Sequence, residues 1–291
     1  MFLILRTMEN ILWLVTSEHL KNRLWFKDDE DFKAGMNYVA LLASTQPAQI
    51  MAFVLMSNHV HFVVGGSKKD ALGFVTRFKK LYSQYYRSKY SFKQLLRGNG
   101  VNIKELSVGD ESFEKAVAYV QMNPVAANIC VHPSGYPWGT GSTFFSDRQH
   151  SGKFFSDLSQ ADRKHMLHSK RKLPPQYAVD GRGVISPFSY IDVNFVESVF
   201  RTPKRMSYFL SKSSKARTVA KLPTFSDKTI LMAVKELCIS MYNKPDLSFL
   251  EDPQRADILR QIQYRFSADP NQIARVVGIP YATVATLIDS F

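Results

Sequence analysis

Apolar residues in the first 65 positions follow two different periods. Segments 10–18 (NILWLVTSE) and 49–64 (QIMAFVLMSNHVHFVV) are apolar runs of strand character. Between them, segment 28–44 (DDEDFKAGMNYVALLAS) begins with acidic residues and continues with apolar residues at helical spacing. The pattern predicts a strand, a helix and a strand, and therefore a domain of mixed α and β structure.

Two further helices follow in the same part of the chain. Asp70 could cap a helix over residues 71–90. Segment 111–122 (ESFEKAVAYVQM) has its apolar residues on one helical stripe. This second helix is expected to end near Asn123, because Pro124 disfavours the α conformation in the residue before it.

Composition divides the chain into three parts. Residues 1–150 hold the mixed pattern, and residues 223–291 have helical spacing of apolar residues. Between them, the segment 201–222 carries seven basic residues and no acidic one, which is typical of a linker or a basic arm. We therefore expect a first domain of residues 1–150, a basic connecting region of residues 151–222 and a helical domain of residues 223–291.

The C-terminal helices match the spacing of a helix-turn-helix. Ala274 lies four residues before Gly278, and apolar Val284 and Leu287 follow beyond the turn. A DNA-contacting module and a plain helical hairpin share the glycine turn and these apolar contacts. The spacing leaves both interpretations open.

Charge narrows the choice of partner. The chain has 38 Lys and Arg against 25 Asp and Glu, a formal net charge of +13 and an isoelectric point near 9.6. This excess favours a polyanion, with nucleic acid as the first candidate and an anionic membrane surface as the second.

Other features indicate an intracellular protein without a membrane span. No apolar run approaches the ~18 residues that cross a bilayer, and Glu9 interrupts the N-terminal apolar segment where a signal peptide needs a continuous core. Cys130 and Cys238 are the two cysteines, too few and too far apart for a disulfide framework or a cysteine zinc site. Any metal must be held by His, carboxylate or amide groups.

His59 and His61 stand one residue apart in the second apolar run. Side chains of a strand alternate between its faces, so both imidazoles point the same way and could bind one metal ion. The alternative is a pair of structural histidines that are buried and hydrogen-bonded to their neighbours. A third ligand would favour the metal.

Tyr119 and Asn123 are candidates to join the histidines. They are four residues apart and share one helical face, so a phenol and an amide oxygen could be presented together. Two imidazoles and an amide oxygen suit a divalent ion such as Mg²⁺ or Mn²⁺. Gln121 is the alternative amide, on another face. Taken singly, Tyr119 could be a half-buried helix tyrosine and Asn123 an ordinary helix-end residue.

Residues 77–104 hold eight basic residues, no acidic residue and several interleaved aromatic rings. Cations can follow the phosphates of a single strand while rings stack on unpaired bases. The alternative is an amphipathic helix with its rings packed inward. The candidate DNA-binding residues are Arg77, Lys79, Lys80, Tyr82, Tyr86, Arg87 and Lys89.

Two motifs in order resemble a known family. MSNHVHFVV (56–64), followed by AYVQMNPVAANI (118–129), is similar to the REP-associated tyrosine transposases. These are HUH single-strand endonucleases, named for their His, hydrophobe, His triplet. The resemblance covers roughly residues 10–145, including YPWGTGSTFF (136–145).

The resemblance implies a ferredoxin-like α/β (α+β) domain whose central antiparallel sheet carries the HUH motif, followed here by the C-terminal helical domain. Tyr119 would be the nucleophile, forming a 5′-phosphotyrosine, and Asn123 would complete the divalent metal site of His59 and His61. The implied partner is single-stranded or hairpin DNA, bound without a small-molecule cofactor by a monomer or homodimer. The implied location is the bacterial cytoplasm, in association with the nucleoid.

The sequence departs from the family at several substrate-facing positions. Relatives usually have Pro where Ser57 stands, His or another group at Gln121, and Arg at Ala126. GNGVNIKEL (98–106) replaces a glycine-arginine-phenylalanine-lysine segment. A non-cleaving hairpin-binding regulator is therefore an alternative. A replication or mobilisation initiator is a third candidate, although the P-loop of a fused helicase is missing from this sequence.

Overall fold

The structure is a computed structural model and describes residues 11–18, 20, 24–92, 96, 98–146, 152–169, 171–215, 225–266 and 268–290. The first part comprises β1 (Leu12–Ser17), α1 (Asp29–Thr45), β2 (Gln49–Met56), β3 (His59–Gly65), α2 (Lys68–Tyr90), β4 (Val101–Leu106) and α3 (Ser112–Ala126). The middle part comprises β5 (Lys153–Phe154), α4 (Gln160–Leu167), β6 (Ala178–Val179), α5 (Val193–Phe200) and α6 (Pro203–Lys212). The last part comprises α7 (Asp227–Tyr242), α8 (Asp252–Phe266), α9 (Pro270–Val277) and α10 (Tyr281–Ser290).

Strands β1 to β4 form one antiparallel sheet in the order β2-β3-β1-β4. β3 is an inner strand, and Thr16 of β1 and Val54 of β2 stand opposite His61 on its two sides. Short strands β5 and β6 pair separately. The expectation of a mixed α+β fold with an antiparallel sheet is confirmed.

The apolar run 49–64 is a β-hairpin, where the sequence pattern indicated a single strand. β2 ends at Met56 and β3 begins at His59, with Ser57 and Asn58 in the turn between them. Nearly every residue of both strands is buried, so apolar residues continue up to the reversal on both sides. The turn-forming pair Ser57-Asn58 was the available signal. The turn places both histidines at the beginning of β3.

Helix α2 begins three residues before the expected start. Its N-cap is Ser67, whose Oγ accepts from the Asp70 backbone N at 3.1 Å and donates to the Asp70 carboxylate at 2.6 Å. Asp70 therefore supports the cap from inside the first turn. Neither this helix nor any other in the described ranges is long and apolar enough to cross a membrane.

Helix α3 passes through Pro124 and ends at Ala126, so the expected end near Asn123 is wrong. Proline removes the N–H that would donate to the Val120 carbonyl. The Asn123 side-chain amide approaches that oxygen at 3.5 Å and donates to the Tyr119 carbonyl at 2.8 Å. These contacts compensate part of the missing hydrogen bond and fix the orientation of the Asn123 amide.

The middle part of the chain packs onto the first part. Phe155, Leu167, Phe200 and Phe209 are buried in the same apolar cluster as the sheet. The region 151–222 is therefore structured over most of its described length, where the charge run suggested a linker or arm. Lys204 and Lys212 of α6 stay exposed while Met206 and Phe209 face inward, a pattern that a count of charges does not reveal. Residues 216–222 lie outside the described residues.

Helices α7 to α10 have an apolar cluster of their own, which includes Ile230, Leu259, Ile273, Val284 and Leu287. The two helices and the glycine turn expected for the helix-turn-helix are present. α9 ends at Val277 and is capped by Gly278, whose φ of 70° is the left-handed conformation that glycine adopts without strain, and α10 begins three residues later at Tyr281.

A buried polar junction joins this cluster to the sheet domain. Asp227, at the start of α7, accepts from Ser57 Oγ at 2.7 Å and from Arg275 of α9 at 2.8 Å. Arg275 Nη2 also donates to the Ala127 carbonyl beyond α3, at 3.1 Å. Burial opposes ionisation of Asp227, but the charge and hydrogen bonds of Arg275, with bonds from Ser57 and Gln272, hold the pKa of this carboxyl below its ordinary value.

We expect Arg275→Met to lower the free energy of unfolding by about 3–5 kcal/mol, because it leaves a buried carboxylate without its cation. The double variant Asp227→Leu/Arg275→Met should recover much of this loss. Since the pKa of Asp227 is depressed in the folded state, its contribution is present at neutral pH and lost as the pH falls below about 4. Urea unfolding across this pH range measures each effect.

Lys235→Met, which changes an exposed side chain of α7, provides the matched control and should leave stability nearly unchanged. An Arg275→Met protein as stable as this control would show that the junction does not tie the two clusters together.

Candidate active site

The two faces of β3 bury different kinds of side chain, apolar on one face and imidazole on the other. Val60 and Phe62 point to one face, where Phe62 packs against Phe78 of α2 at a ring-centroid distance of 5.5 Å. His59 and His61 point to the other, with ring centroids 4.7 Å apart. The histidines are 4% and 1% exposed. The alternation expected from the sequence is therefore realised, and the imidazoles form one buried pair.

A hydrogen bond at Nδ1 orients each imidazole. His59 Nδ1 lies 2.8 Å from Asn58 Oδ1, and His61 Nδ1 lies 2.9 Å from Thr16 Oγ1 on the neighbouring strand β1. An amide oxygen only accepts, so His59 Nδ1 carries the proton and Nε2 is the nitrogen that can bind a metal. Such partners commonly orient metal-binding histidines.

Helix α3 brings Tyr119 to the histidine pair. Its ring packs edge-on against His61 with centroids 5.3 Å apart, and the side chain is half-buried. Burial raises the pKa of Tyr119 above its ordinary value. The phenol is therefore protonated at neutral pH, and its use as a nucleophile requires nearby positive charge.

Asn123 lies one helical turn beyond Tyr119. Because its Nδ2 donates to the Tyr119 carbonyl, Oδ1 is the atom it can offer to a metal. Asn123 and His59 line the same cavity, of about 570 Å³. The alternative ligand Gln121 is directed elsewhere, since its Nε2 donates to the Thr140 carbonyl at 3.2 Å. The structure thus favours Asn123 over Gln121.

The donor set fits a borderline or hard divalent ion. Two imidazole nitrogens and one amide oxygen can be offered, and water or a substrate phosphate can complete the coordination. No group of three or more His, Cys, Asp or Glu side chains in the described part of the chain forms a competing site. This chemistry is compatible with Mg²⁺ or Mn²⁺ held by His59, His61 and Asn123.

Four lysines lie near Tyr119 and are called the lysine cluster. Lys215 Nζ lies 5.0 Å from the centroid of the Tyr119 ring. Lys104, Lys115 and Lys212 line an open cavity of about 390 Å³ together with Tyr119. Burial lowers the pKa of Lys215 below its ordinary value. Positive charge thus collects where a phosphate would meet the phenol.

The sequence alone did not identify the lysine cluster. Its members come from β4, α3 and the end of α6 with the residues that follow it. The basic run 201–222 was the signal for Lys212 and Lys215, but it does not show which residues they approach.

The DNA-binding residues expected on α2 need correction. Tyr82 and Tyr86 are 0% exposed and belong to the core, so neither ring can stack on a base. The helix is amphipathic with its rings inward, which was the alternative interpretation. Lys79 donates to the Asn99 carbonyl, and Lys89 forms ion pairs with Asp28 and Asp31.

Arg77, Lys80 and Arg87 remain exposed on α2. This helix packs on the face of the sheet that carries Phe62, whereas His61 and Tyr119 lie on the opposite face. The three exposed cations are therefore separated from the candidate active site by the sheet.

The sequence matches no protein-family model and no curated protein. Among solved structures, it is similar to a REP-associated tyrosine transposase bound to a REP hairpin. The two are 18% identical, the alignment covers 48% of this chain and 82% of that chain, and the TM-score is 0.37. Similarity at this level is distant, so the chemistry has to be inferred from the residues of the site.

If the histidine pair binds a divalent ion, the protein should bind about one Mn²⁺, and His61→Ala should weaken this binding at least about tenfold. Loss of a direct ligand should cost no less than loss of the partners that orient ligands, which is about 10–100-fold. The decrease of the free Mn²⁺ signal in electron paramagnetic resonance measures binding without any catalytic assay. His132→Ala removes an exposed histidine and should have no effect; equal affinity in both variants would contradict the metal site.

Proposed function

We propose that the protein is a metal-dependent single-strand DNA endonuclease and strand transferase of the HUH type, which acts on hairpin DNA through a 5′-phosphotyrosine on Tyr119. The observation that carries this proposal is the contact of the His59–His61 pair with Tyr119, while Asn123 lines the same cavity as His59. The strand order β2-β3-β1-β4, with the histidines on an inner strand, supports the ferredoxin-like arrangement expected for such enzymes.

The proposed reaction is a transesterification. The Tyr119 oxygen attacks the scissile phosphorus, the bond from phosphorus to the 3′-oxygen breaks, the phenol loses its proton to solvent and the departing 3′-oxygen gains one. In the reverse direction a 3′-hydroxyl attacks the phosphotyrosine, which rejoins or transfers the strand without ATP. The covalent link conserves the energy of the phosphodiester bond.

A divalent ion bound by His59, His61 and Asn123 would supply Lewis-acid polarisation of the scissile phosphate. The remaining groups have separate tasks. The contact with His61 holds the Tyr119 ring in place, and the Nδ1 bonds of the histidines fix the orientation of the two imidazoles. Lys215 and its neighbours stabilise the negative charge that develops on the phosphate oxygens.

The first experiment looks for the covalent intermediate. Protein incubated with labelled hairpin DNA and Mn²⁺ should give an adduct that survives a denaturing gel, whereas Tyr119→Phe should give none because it lacks the attacking oxygen. Tyr208→Phe alters a tyrosine that is 57% exposed on α6, and it should form adduct at the wild-type rate. Absence of adduct from the wild-type protein over varied hairpins, with binding intact, would favour the non-cleaving regulator.

The second experiment locates the DNA strand. Exchanging Lys104, Lys115 and Lys212 together for Gln should weaken binding and reduce the salt dependence of log K by about 2, since each lost phosphate contact contributes about 0.7 for single strands. Fluorescence anisotropy over a range of salt concentrations measures this slope.

Arg77, Lys80 and Arg87, exchanged together for Gln, provide a control with the same change of charge on the opposite face of the sheet. We expect a smaller loss of slope for single-stranded DNA. The reverse order of effects would place the strand on α2 and not beside Tyr119.

A further inference from the structure

The cavity lined by His59 and Asn123 lies between the sheet domain and the C-terminal helices, and both contribute to its wall. One wall belongs to the sheet domain and includes Asn128, two residues after the end of α3. The other wall is formed by the helix-turn-helix and includes Asn271 and Tyr281. Its volume of about 570 Å³ is within the range of sites that enclose one small ligand.

We propose that this cavity binds one unpaired nucleotide of the DNA strand, next to the scissile phosphate, with its base stacked on Tyr281. The inference rests on the proposed function, because the identity of the ligand follows from the strand that the site would cleave. It assigns the helix-turn-helix a role in holding single-stranded DNA.

One residue of the wall has a buried polar atom without a hydrogen-bond partner in the described ranges. Asn128 is 8% exposed, and its Nδ2 donates to Asp269 at 2.7 Å. Its Oδ1 is buried and accepts no hydrogen bond from any residue in the described ranges. Such an oxygen is costly to bury without a donor. Exocyclic amino groups and ring N–H groups of bases are donors of the required kind.

The rest of the wall also suits a nucleotide. Asn58 uses Oδ1 to accept from His59, so its NH₂ group remains a donor, and Asn271 adds a second amide. Tyr281 is the first residue of α10 and is 53% exposed, which leaves its ring accessible for stacking. Lys215 lines the same cavity and places a cation close to the nucleotide's phosphate.

The second wall is fixed in position before DNA arrives. Arg275 joins α9 to Asp227 and to the Ala127 carbonyl, and Asp269 accepts from Asn128. A preformed site loses less conformational entropy on binding than one that must be ordered. The cavity is therefore preformed, because the hydrogen bonds of the junction hold its second wall in place.

Helix α10 is poorly suited to the usual role of a recognition helix. Its sequence, YATVATLIDS, has no Lys or Arg. In a groove-reading module, the first turn of this helix contacts base edges of a duplex. Here the residue at that position, Tyr281, lines a cavity of single-nucleotide dimensions, which a duplex cannot enter.

A double-mutant cycle between protein and DNA tests the assignment. Hairpin DNA with single-stranded tails is prepared with one abasic site, moved along the tails one position at a time. Affinities are measured with Mn²⁺ in the Tyr119→Phe background, where no cleavage interferes. At one position the abasic site should weaken binding about tenfold, and the addition of Tyr281→Ala should remove this penalty.

Two further variants exclude a merely structural effect. Tyr281→Phe retains the stacking ring and should keep the abasic penalty. Phe249→Ala removes another aromatic side chain of the C-terminal part, 60% exposed, and should also keep it. If the penalty is independent of Tyr281 at every position, the inference is overturned.

The outcomes separate this inference from the proposed function. A covalent adduct on Tyr119 without coupling between Tyr281 and any base would leave the nuclease standing and refute the nucleotide site. Coupling without an adduct would establish the nucleotide site in a protein that binds DNA and does not cut it.

Discussion

Burial of β3 on both faces is the constraint on which the site depends. A strand covered on one face only would expose the histidines or lose the apolar layer beneath them. Here Phe62 fixes the strand against α2, while His59 and His61 lie beneath α3. Because side chains alternate strictly along a strand, a single register buries Phe62 on one face and both histidines on the other. The pairing of Thr16 and Val54 with His61 maintains that register from both sides.

The centre of the site was predictable from local spacing. Side chains two residues apart on a strand share a face, and so do side chains four residues apart on a helix. The observed contact between His61 and Tyr119 brings these two faces together. The lysine cluster was not predictable in this way, because Lys104 and Lys215 are distant in sequence and are brought near Tyr119 by tertiary packing. The stacking role of Tyr82 and Tyr86 failed because aromatic spacing on a helix is the same for a core stripe and a binding stripe.

Errors in the predicted fold have local physical causes. The hairpin within 49–64 was concealed because both its strands are buried, and the helix end at Pro124 was misplaced because Asn123 compensates for the missing donor. The packing of residues 152–169 and 171–215 depends on apolar side chains such as Phe200 and Phe209, and the sequence pattern does not show which part of the chain these side chains contact. Periodicity identified most individual helices, but tertiary contacts determined which ones share a core.

The Ser57 side chain links the turn before the histidines to the C-terminal helices. Its hydroxyl donates to the Asp227 carboxylate at 2.7 Å. The turn before the histidines is thereby bonded to the residue that begins α7. Arg275 extends the same network to the end of α3, so both elements that carry candidate catalytic residues contact the C-terminal cluster. The Ser57 hydroxyl is thus part of the contact that gives the cavity beside His59 and Asn123 its second wall.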